Sequence, residues 1–519
     1  MRLGIDLGTT YSVVAFINDD GQAEVIPTLQ NLPTTPSVVY IDGDNVTVGE
    51  EAKRMSEAMP ENVVSLAKRY MGTDHKFEID GTVYVPQTIS AMILKKLKED
   101  AERVLNRKVT DAVITVPAYF GVPQRQATVD AGKIAGLNVC GIIEEPVAAA
   151  ITYGYGGKSA VDGSKTVLVY DLGGGTFDVT LLTIESIGED QPKINVISTE
   201  GDRQLGGADW DLAMVKYISE QFEQQHGVDF TVNQGFVNSI QMKCEAAKQA
   251  LATSKNTVVV CSFEGKTLKI PFDASLLLDL TRHLLDRTEA RIDKLLSAKS
   301  YTTKDVDEVL LVGGSTKLKM VRDLLEAKFG VEKIKKDVHA DLCVAQGAAL
   351  KGKMQDSDFS QDTSGKLKES NVNFSCPHGL GTDFLEDVSR KIVKVITLIP
   401  KDQELPCSGS DTFYTAYDGQ TSTKFDIFEN DSRSIGQVLD PDLCLCIGTV
   451  TLEGLPPGRP RGQPVKATFA LTDGYLLTVT AVDISTGKSV ETTIDYRGTM
   501  ERKAIQAAQD GVARVIIQS

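Results

Sequence analysis

The sequence predicts a multidomain protein: a duplicated α/β region, then an antiparallel β-sandwich, then one short C-terminal helix. Three observations carry that reading. First, residues 3–15 and 167–179 share one grammar: a strand ending in Asp, a Gly-containing turn with hydroxyl residues, and a second strand. A repeated unit of this kind points to a duplication with one hairpin from each half. Second, strands and helices alternate between and after the two copies, as in a layered α/β fold. Third, residues 355–373 turn polar, Ser/Asp-rich and aperiodic, and beyond them short strands separated by turn signals dominate. At 519 residues the chain exceeds what one core serves.

Taken in order, the elements follow from pattern. Residues 3–15 read as the first hairpin. Residues 31–37 (NLPTTPS) form a turn-rich stretch, and 50–59 and 61–71 read as helices. Residues 87–105 form an amphipathic helix, with Ile89, Ile93, Leu94, Leu97, Ala101 and Leu105 at helical spacing. A strand over 109–116, a helix over 124–135, a strand over 139–143 and an alanine-rich helix over 147–153 complete the first alternation. After the second hairpin, residues 201–209 make a further Gly-rich turn before a helix. Residues 236–253 are helical, and 307–312 form a buried strand ending in Gly313-Gly314-Ser315-Thr316. A helix to residue 329 and a segment over 341–351 close the α/β part, predicted as 1–354. Residues 355–375 read as a linker and 376–498 as the sandwich, with strands at 391–399, 412–416, 423–428, 444–452, 465–471, 476–482 and 490–494. Thr499 is placed to cap a last helix over 500–517.

Bulk properties exclude some functions. A net charge of −16 argues against nucleic acid or an anionic membrane as the main partner, while leaving room for a local basic cleft. The start lacks the long apolar segment of a signal peptide, and no run of about 18 apolar residues occurs, so a cytoplasmic protein without membrane association is expected. The eight cysteines are scattered and read as reduced thiols; Cys444 and Cys446 have no second pair to make a metal site.

The chemistry sits at the turns. Three glycines, Gly173, Gly174 and Gly175, expose backbone N–H groups without Cβ obstruction, as a phosphate cradle needs. Asp171, Asp178 and Thr176 supply hard oxygen atoms suited to a hydrated Mg²⁺. An ordinary Gly-rich hairpin would look the same in isolation. The second copy at Asp6 to Tyr11 changes the reading, because two such turns facing one cleft would clamp a nucleotide's phosphates from both sides.

Together these residues resemble the Hsp70 chaperone family. The likeness rests on Gly4-Ile5-Asp6-Leu7-Gly8-Thr9-Thr10, on residues 112–120 (AVITVPAYF) and 124–128 (QRQAT), and on Asp171 through Asp178. Leu205-Gly206-Gly207 and Val312-Gly313-Gly314-Ser315-Thr316 add to it, and weaker matches continue at residues 398–400 and 455–458. The resemblance implies an actin-like, ribonuclease-H-like duplicated ATPase domain whose nucleotide state tunes capture of extended hydrophobic peptides or unfolded proteins by the sandwich. It implies ATP/ADP and Mg²⁺ as ligands, with room for K⁺. It assigns Asp6, Gly8, Thr9, Thr10 and Tyr11 to one phosphate hairpin and Gly173 to Thr176 to the other. Lys68 becomes the catalytic lysine that polarises the γ-phosphate and orients water. Glu145 orders Mg²⁺ and water, Asp6 and Asp171 hold the metal through its waters, and Asp178 and Thr176 assist. Gly206 and Gly207 belong to the cleft. Glu245 and Lys248 bind the ribose, Gly313, Gly314 and Ser315 face the adenosine, and Lys317 and Asp341 line that end. Pro117 and Arg125 relay nucleotide state. The groove residues are Thr382, Phe384, Leu385, Phe413, Ala416, Thr423 and Phe425, reached by strand addition; plain sandwich core would show the same alternation.

Several positions depart from the family pattern. Gln249 and Lys317 stand where arginines commonly stack on adenine, and either stacks less well than a guanidinium. The string that helps receive J-domain co-chaperones is Tyr119-Phe120-Gly121-Val122, the basic residue before Glu-Pro is Gly141, and the apolar linker is Ser370-Asn371-Val372-Asn373-Phe374. All three touch interdomain or J-protein docking. Residues 499–519 are too few for a helical lid and read as a lid remnant that could pack into a groove. Two other readings remain open from sequence: a nucleotide-gated scaffold with little turnover, and a small-molecule kinase on the same fold, which the appended sandwich disfavours.

Overall fold

Two six-stranded sheets carry the α/β region, and their strand orders correspond. The computed structural model describes residues 1–155, 163–186, 192–335, 339–358, 372–387, 389–493, 500 and 502–518. In the first sheet the order is Asn138–Glu144, Asp111–Val116, Arg2–Asp6, Tyr11–Ile17, Ala23–Val25, with Thr35–Pro36 also on Tyr11–Ile17; in the second it is Ile334–Lys335, Glu308–Val312, Ser164–Leu172, Phe177–Ser186, Pro192–Asp202, Val372–Asn373. Each sheet has a central antiparallel hairpin flanked on one side by two parallel strands. The repeated grammar of the sequence is thus a repeated topology. Between the sheets lie the helices Glu145–Gly154 and Cys343–Asp358, which touch where a Cβ on Gly347 would stand 1.8 Å from the Ala148 carbonyl oxygen. Only glycine allows that approach. It lets the second helix press on the first sheet, where Gly4 meets the Ala349 backbone.

Past residue 376, a five-stranded and a four-stranded antiparallel sheet share one apolar core that includes Phe425, Ile427, Val450, Phe469 and Val479. The strand Gly379–Asp387, unassigned from sequence, lies inside the five-stranded sheet, where Gly381 leaves space for the Ile396 carbonyl. The hairpin Asn256–Phe263/Lys266–Asp273 and the helix Ala274–Ala298 were likewise not read from sequence.

Three expectations are corrected. The helix expected over 61–71 is broken: β-branched Val63 and Val64 pair with Tyr40 and Val39 as a short strand, and Leu66 takes a left-handed φ of 57° before a 3₁₀ turn over Ala67–Tyr70. The 355–375 linker is also redrawn. Helix Cys343–Asp358 runs into it, residues 359–371 lie outside the described ones, and Val372–Asn373 adds a parallel strand to Pro192–Asp202. Val372 and Phe374 are apolar and buried there, covering an edge that would otherwise stand unpaired. Lastly, the terminal helix is Arg502–Arg514, and Thr499 lies outside the described residues. It enters no sandwich groove. It packs on the first half of the α/β region through Val512, and Ile516–Gln518 then adds a parallel strand to Asn45–Val48.

The sandwich sits against the α/β region. Glu200, fully buried, accepts hydrogen bonds from Lys401 at 2.9 Å and Arg433 at 2.6 Å, and Lys294 lies 3.0 Å away. At the start of helix Val122–Ile134, the Val122 N–H donates to Glu429 at 2.8 Å. A Cβ on Gly121 would lie 2.2 Å from that carboxylate. The Gly121-Val122 departure therefore has a structural reason, since a side chain there would expel Glu429.

Candidate active site

The two Gly-rich turns meet face to face. A Cβ on Gly174 would fall 1.9 Å from the Thr10 hydroxyl, and one on Gly175 would fall 2.2 Å from the Thr9 methyl, so the turns interlock only because the second is all glycine. Gly206 packs on Gly175, and the Gly207 N–H donates to the Gly173 carbonyl at 2.9 Å, fixing the second turn to the start of helix Gly207–His226. Arg69 reinforces the join: its Nε donates to the Gly175 carbonyl at 2.9 Å while its fork holds Asp209 at 2.6 Å.

Between the turns opens a cavity of about 570 Å³. Its lining includes Asp6, Gly8, Thr9, Thr10, Tyr11, Lys68, Glu145, Asp171, Gly173, Gly174, Thr176, Gly207, Glu245, Lys248, Gly313, Gly314, Ser315, Lys317 and Asp341. Gly175, Gly206 and Asp178 stand immediately behind it, Asp178 paired across the hairpin with Asp171 and accepting from the Tyr119 N–H at 2.9 Å. Pro117 and Arg125 lie outside the lining; Arg125 is buried, donating to Phe120 and Ala118 carbonyls and to Glu144 at 2.7 Å.

Electrostatics mark one end of the cavity. Burial, with repulsion from Glu145, pushes Asp6 from the usual 3.8 to about 7 and Asp178 to about 8. Asp171 rises well above its usual value from burial and then from Glu145, Asp178 and Asp6. Lys68 opposes all three shifts, but its ammonium is 2.5 Å from Glu145. Crowded carboxylates with too little positive charge fit a divalent cation. No three acidic, thiol or imidazole groups among the described residues are placed to grip a metal ion themselves. The residues thus suit Mg²⁺ that keeps its waters.

At the other end, Glu245 and Lys248 line the cavity but already have partners. Glu245 accepts from Tyr11 at 2.8 Å and from Lys53 at 2.5 Å; Lys53 outweighs burial and holds that carboxyl below its usual value. Lys248 donates to the Gly207 carbonyl at 2.6 Å and to Asp211 at 2.8 Å. Lys317 pairs with Asp341. Sequence reasoning missed Lys53, Arg69, Asp209 and Asp211. They have no motif of their own, and only the meeting of the two halves reveals them. In the sandwich, Thr382 and Phe425 are buried in the core, with the Thr382 hydroxyl on the Asp426 carbonyl, so neither lines a groove. Phe384, Leu385, Phe413, Ala416 and Thr423 are half-buried.

A duplicated α/β scaffold that locks two glycine–hydroxyl turns over a carboxylate-lined cleft, with a β-sandwich docked beside it, fits a protein that binds a nucleotide's phosphates with hydrated Mg²⁺. The chain belongs to the Hsp70 family: a family model described as Hsp70 protein matches residues 2–514. The chaperone protein DnaK of Thermotoga petrophila is 38% identical over 515 residues, 97% of this chain and 82% of its own length, and that of Thermotoga maritima matches to the same extent. DnaK of Thermosipho melanesiensis is 37% identical over 511 residues, 97% of this chain and 81% of its own. As a member, the chain is an ATP hydrolase that binds ATP or ADP with Mg²⁺. No helix among the described residues is long and apolar enough to cross a membrane.

Proposed function

We propose that residues 1–358 form an actin-like ATPase domain, 376–498 a peptide-binding sandwich and 499–519 a short C-terminal segment, in a cytoplasmic chaperone, with Val372–Asn373 attached to the ATPase sheet ahead of the sandwich. The observation that carries the proposal is the interlock of Gly174 on Thr10 and Gly175 on Thr9 above the Lys68–Glu145 pair. In this reading the two turns cradle the phosphates through backbone N–H groups, and Mg²⁺ neutralises their charge when bound. Asp6, Asp171 and Glu145 hold its waters, and Asp178 with Thr176 orders the attacking water or a K⁺ ion. Lys68 stabilises charge spread over the transferring group. Glu245, Lys248, Gly313, Ser315 and Asp341 receive the nucleoside. Half-buried Phe384, Leu385, Phe413, Ala416 and Thr423 are the groove candidates for an extended hydrophobic peptide. J-domain and nucleotide-exchange co-chaperones are the expected regulators, with Tyr119-Phe120-Gly121-Val122 altering how the former dock.

The test is steady-state ATP turnover with and without a hydrophobic peptide. Turnover that responds to peptide and vanishes in Lys68→Ala supports the assignment. Turnover unaffected by Lys68→Ala rejects the cleft assignment, and indifference to peptide rejects the coupling.

A further inference from the structure

The nucleoside end of the cavity commits its polar groups differently from the phosphate end. Its mouth is bordered by Gln249, at the end of the helix Gln234–Ala250, by Ala252 and Thr253 just beyond it, by Lys317 and Leu318 after the Gly313-Gly314 turn, and by Asp341. Lys317 and Asp341 pair in the open, their side chains 45% and 26% exposed. Gln249 and Thr253 are exposed as well. The Gln249 amide reaches Glu245 only at 3.5 Å, and the Thr253 hydroxyl reaches the Ala250 carbonyl only at 3.4 Å. Ala252 and Leu318 are apolar. None of these six side chains holds a buried polar atom without a partner. Among the described residues, the one such atom on the cavity wall belongs to Asp211, which is bound to Lys248 and so sits in the part read as the ribose site.

Adenine and guanine differ along one edge. Adenine shows an amine and an acceptor nitrogen there; guanine shows a carbonyl, a donor nitrogen and a second amine. A site rejects the wrong base by about 10⁴-fold or more only where a buried group would be left unpaired. Here each group adapts. The Gln249 amide carries both a donor and an acceptor. The Lys317–Asp341 pair sets an ammonium donor beside a carboxylate acceptor, and water replaces either one at an exposed mouth. We infer, given a nucleoside seated at this end, that the cleft selects its nucleotide by phosphates and ribose and not by the base, so that GTP is a substrate beside ATP. The bond chemistry is unchanged. Water attacks the γ-phosphorus, and the bond from that phosphorus to the bridging oxygen breaks, its electron pair staying with GDP. Inorganic phosphate keeps the water oxygen, and the released proton passes to solvent.

The full-length protein is titrated with Mg²⁺–ADP and Mg²⁺–GDP in a calorimeter, and steady-state release of phosphate from ATP and GTP is followed in parallel. Dissociation constants should agree within about tenfold, and so should kcat/KM, the worth of one hydrogen bond exchanged with water. A gap above tenfold in either measure overturns the inference. Lys317→Met, which keeps the stem and loses the ammonium, and Gln249→Leu probe the two adaptable groups; both positions are exposed, so folding is not at stake. Each variant should shift ADP and GDP binding by the same factor. A variant that drives the two more than tenfold apart marks its residue as a reader of the base and overturns the inference. The nucleoside assignment is tested separately. Binding of neither ADP nor GDP rejects the cleft reading and the inference together, whereas ADP bound and GDP refused rejects the inference alone.

Discussion

Carboxylates are buried to a similar degree in two places, the nucleotide cleft and the contact between the α/β region and the sandwich, and they behave in opposite ways. In the cleft, Asp6, Asp171 and Asp178 are pushed up because burial and mutual repulsion exceed what Lys68 returns. At the contact, burial also opposes charge on fully buried Glu200, but Lys401, Arg433 and Lys294 surround it and hold it below the usual range, and Lys401 and Lys294 likewise lower the half-exposed Asp431 beside it. Burial is common to both, so the local supply of cations decides the sign. The contact is electrostatically closed. The cleft is open, and Mg²⁺ with its nucleotide closes it.

The largest effect should come from the cleft. Asp171→Asn removes one carboxylate from the proposed Mg²⁺ site and should lower Mg²⁺–ATP single-turnover rates by about 10²-fold or more, the scale of losing one preorganised electrostatic group. Near-wild-type turnover would erase the distinction, placing Asp171 among structural carboxylates. At the contact the corresponding loss is in docking. Lys401→Ala strips a fully buried ammonium from Glu200 and should weaken docking by about 3–5 kcal/mol. Small-angle scattering would register this as a larger radius of gyration. Lys424→Ala, at an exposed pair with Asp426, should leave that radius alone. Equal behaviour of the two variants would mean that the buried network does not hold the regions together.

The pH dependence follows with opposite signs. The cleft carboxylates keep protons that the unfolded chain has lost, so the folded state binds more protons between about pH 4 and 8 and stability falls as pH rises through that window. Glu200 and Asp431 contribute fully above the unfolded value near 4 and lose their contribution on acidification below it. Calorimetric melting temperatures should therefore decline from pH 5 to pH 8, and saturating Mg²⁺–ADP should flatten the decline. A rising profile, or one indifferent to Mg²⁺–ADP, contradicts the cleft half of the comparison.

The same division explains what the sequence made legible. The cleft could be read because its chemistry is local: Asp before a glycine turn and Thr after it fix strand, bend and ligand within a dozen residues, twice. The family likeness then placed Lys68 and Glu145, which no spacing rule connects. The contact could not be read, because Lys401 and Glu200 lie 201 residues apart, and a lysine in a turn or a glutamate in a strand looks solvent-facing. Buried Tyr475, whose phenol donates to Glu144 at 2.5 Å, was hidden for the same reason, as that partner belongs to another region. Short elements escaped too: Val63–Val64 becomes a strand only through Val39 and Tyr40, and Gly379–Asp387 begins with glycines that dilute its strand pattern.

A third attachment tests whether closure by charge is the only device. The tail holds the first half of the α/β region by apolar burial of Val512 and Ile517, by strand pairing to Asn45–Val48, and by Lys95, whose Nζ donates to the Val512 and Val515 carbonyls at 2.9 and 2.7 Å. Gly511 sits inside the helix Arg502–Arg514 with open space where a Cβ would go. Alanine there costs nothing sterically and removes glycine's backbone entropy, so Gly511→Ala should stabilise the docked tail by about 0.5–1 kcal/mol. Hydrogen exchange at the Ile516–Gln518 amides should slow by a few-fold, in keeping with that gain. Because this attachment meets neither Glu145 nor Glu200, ATP turnover should stay at the wild-type value. A shift in turnover would show the tail acting on the cleft, adding an apolar route between regions that the charge comparison treats as separate.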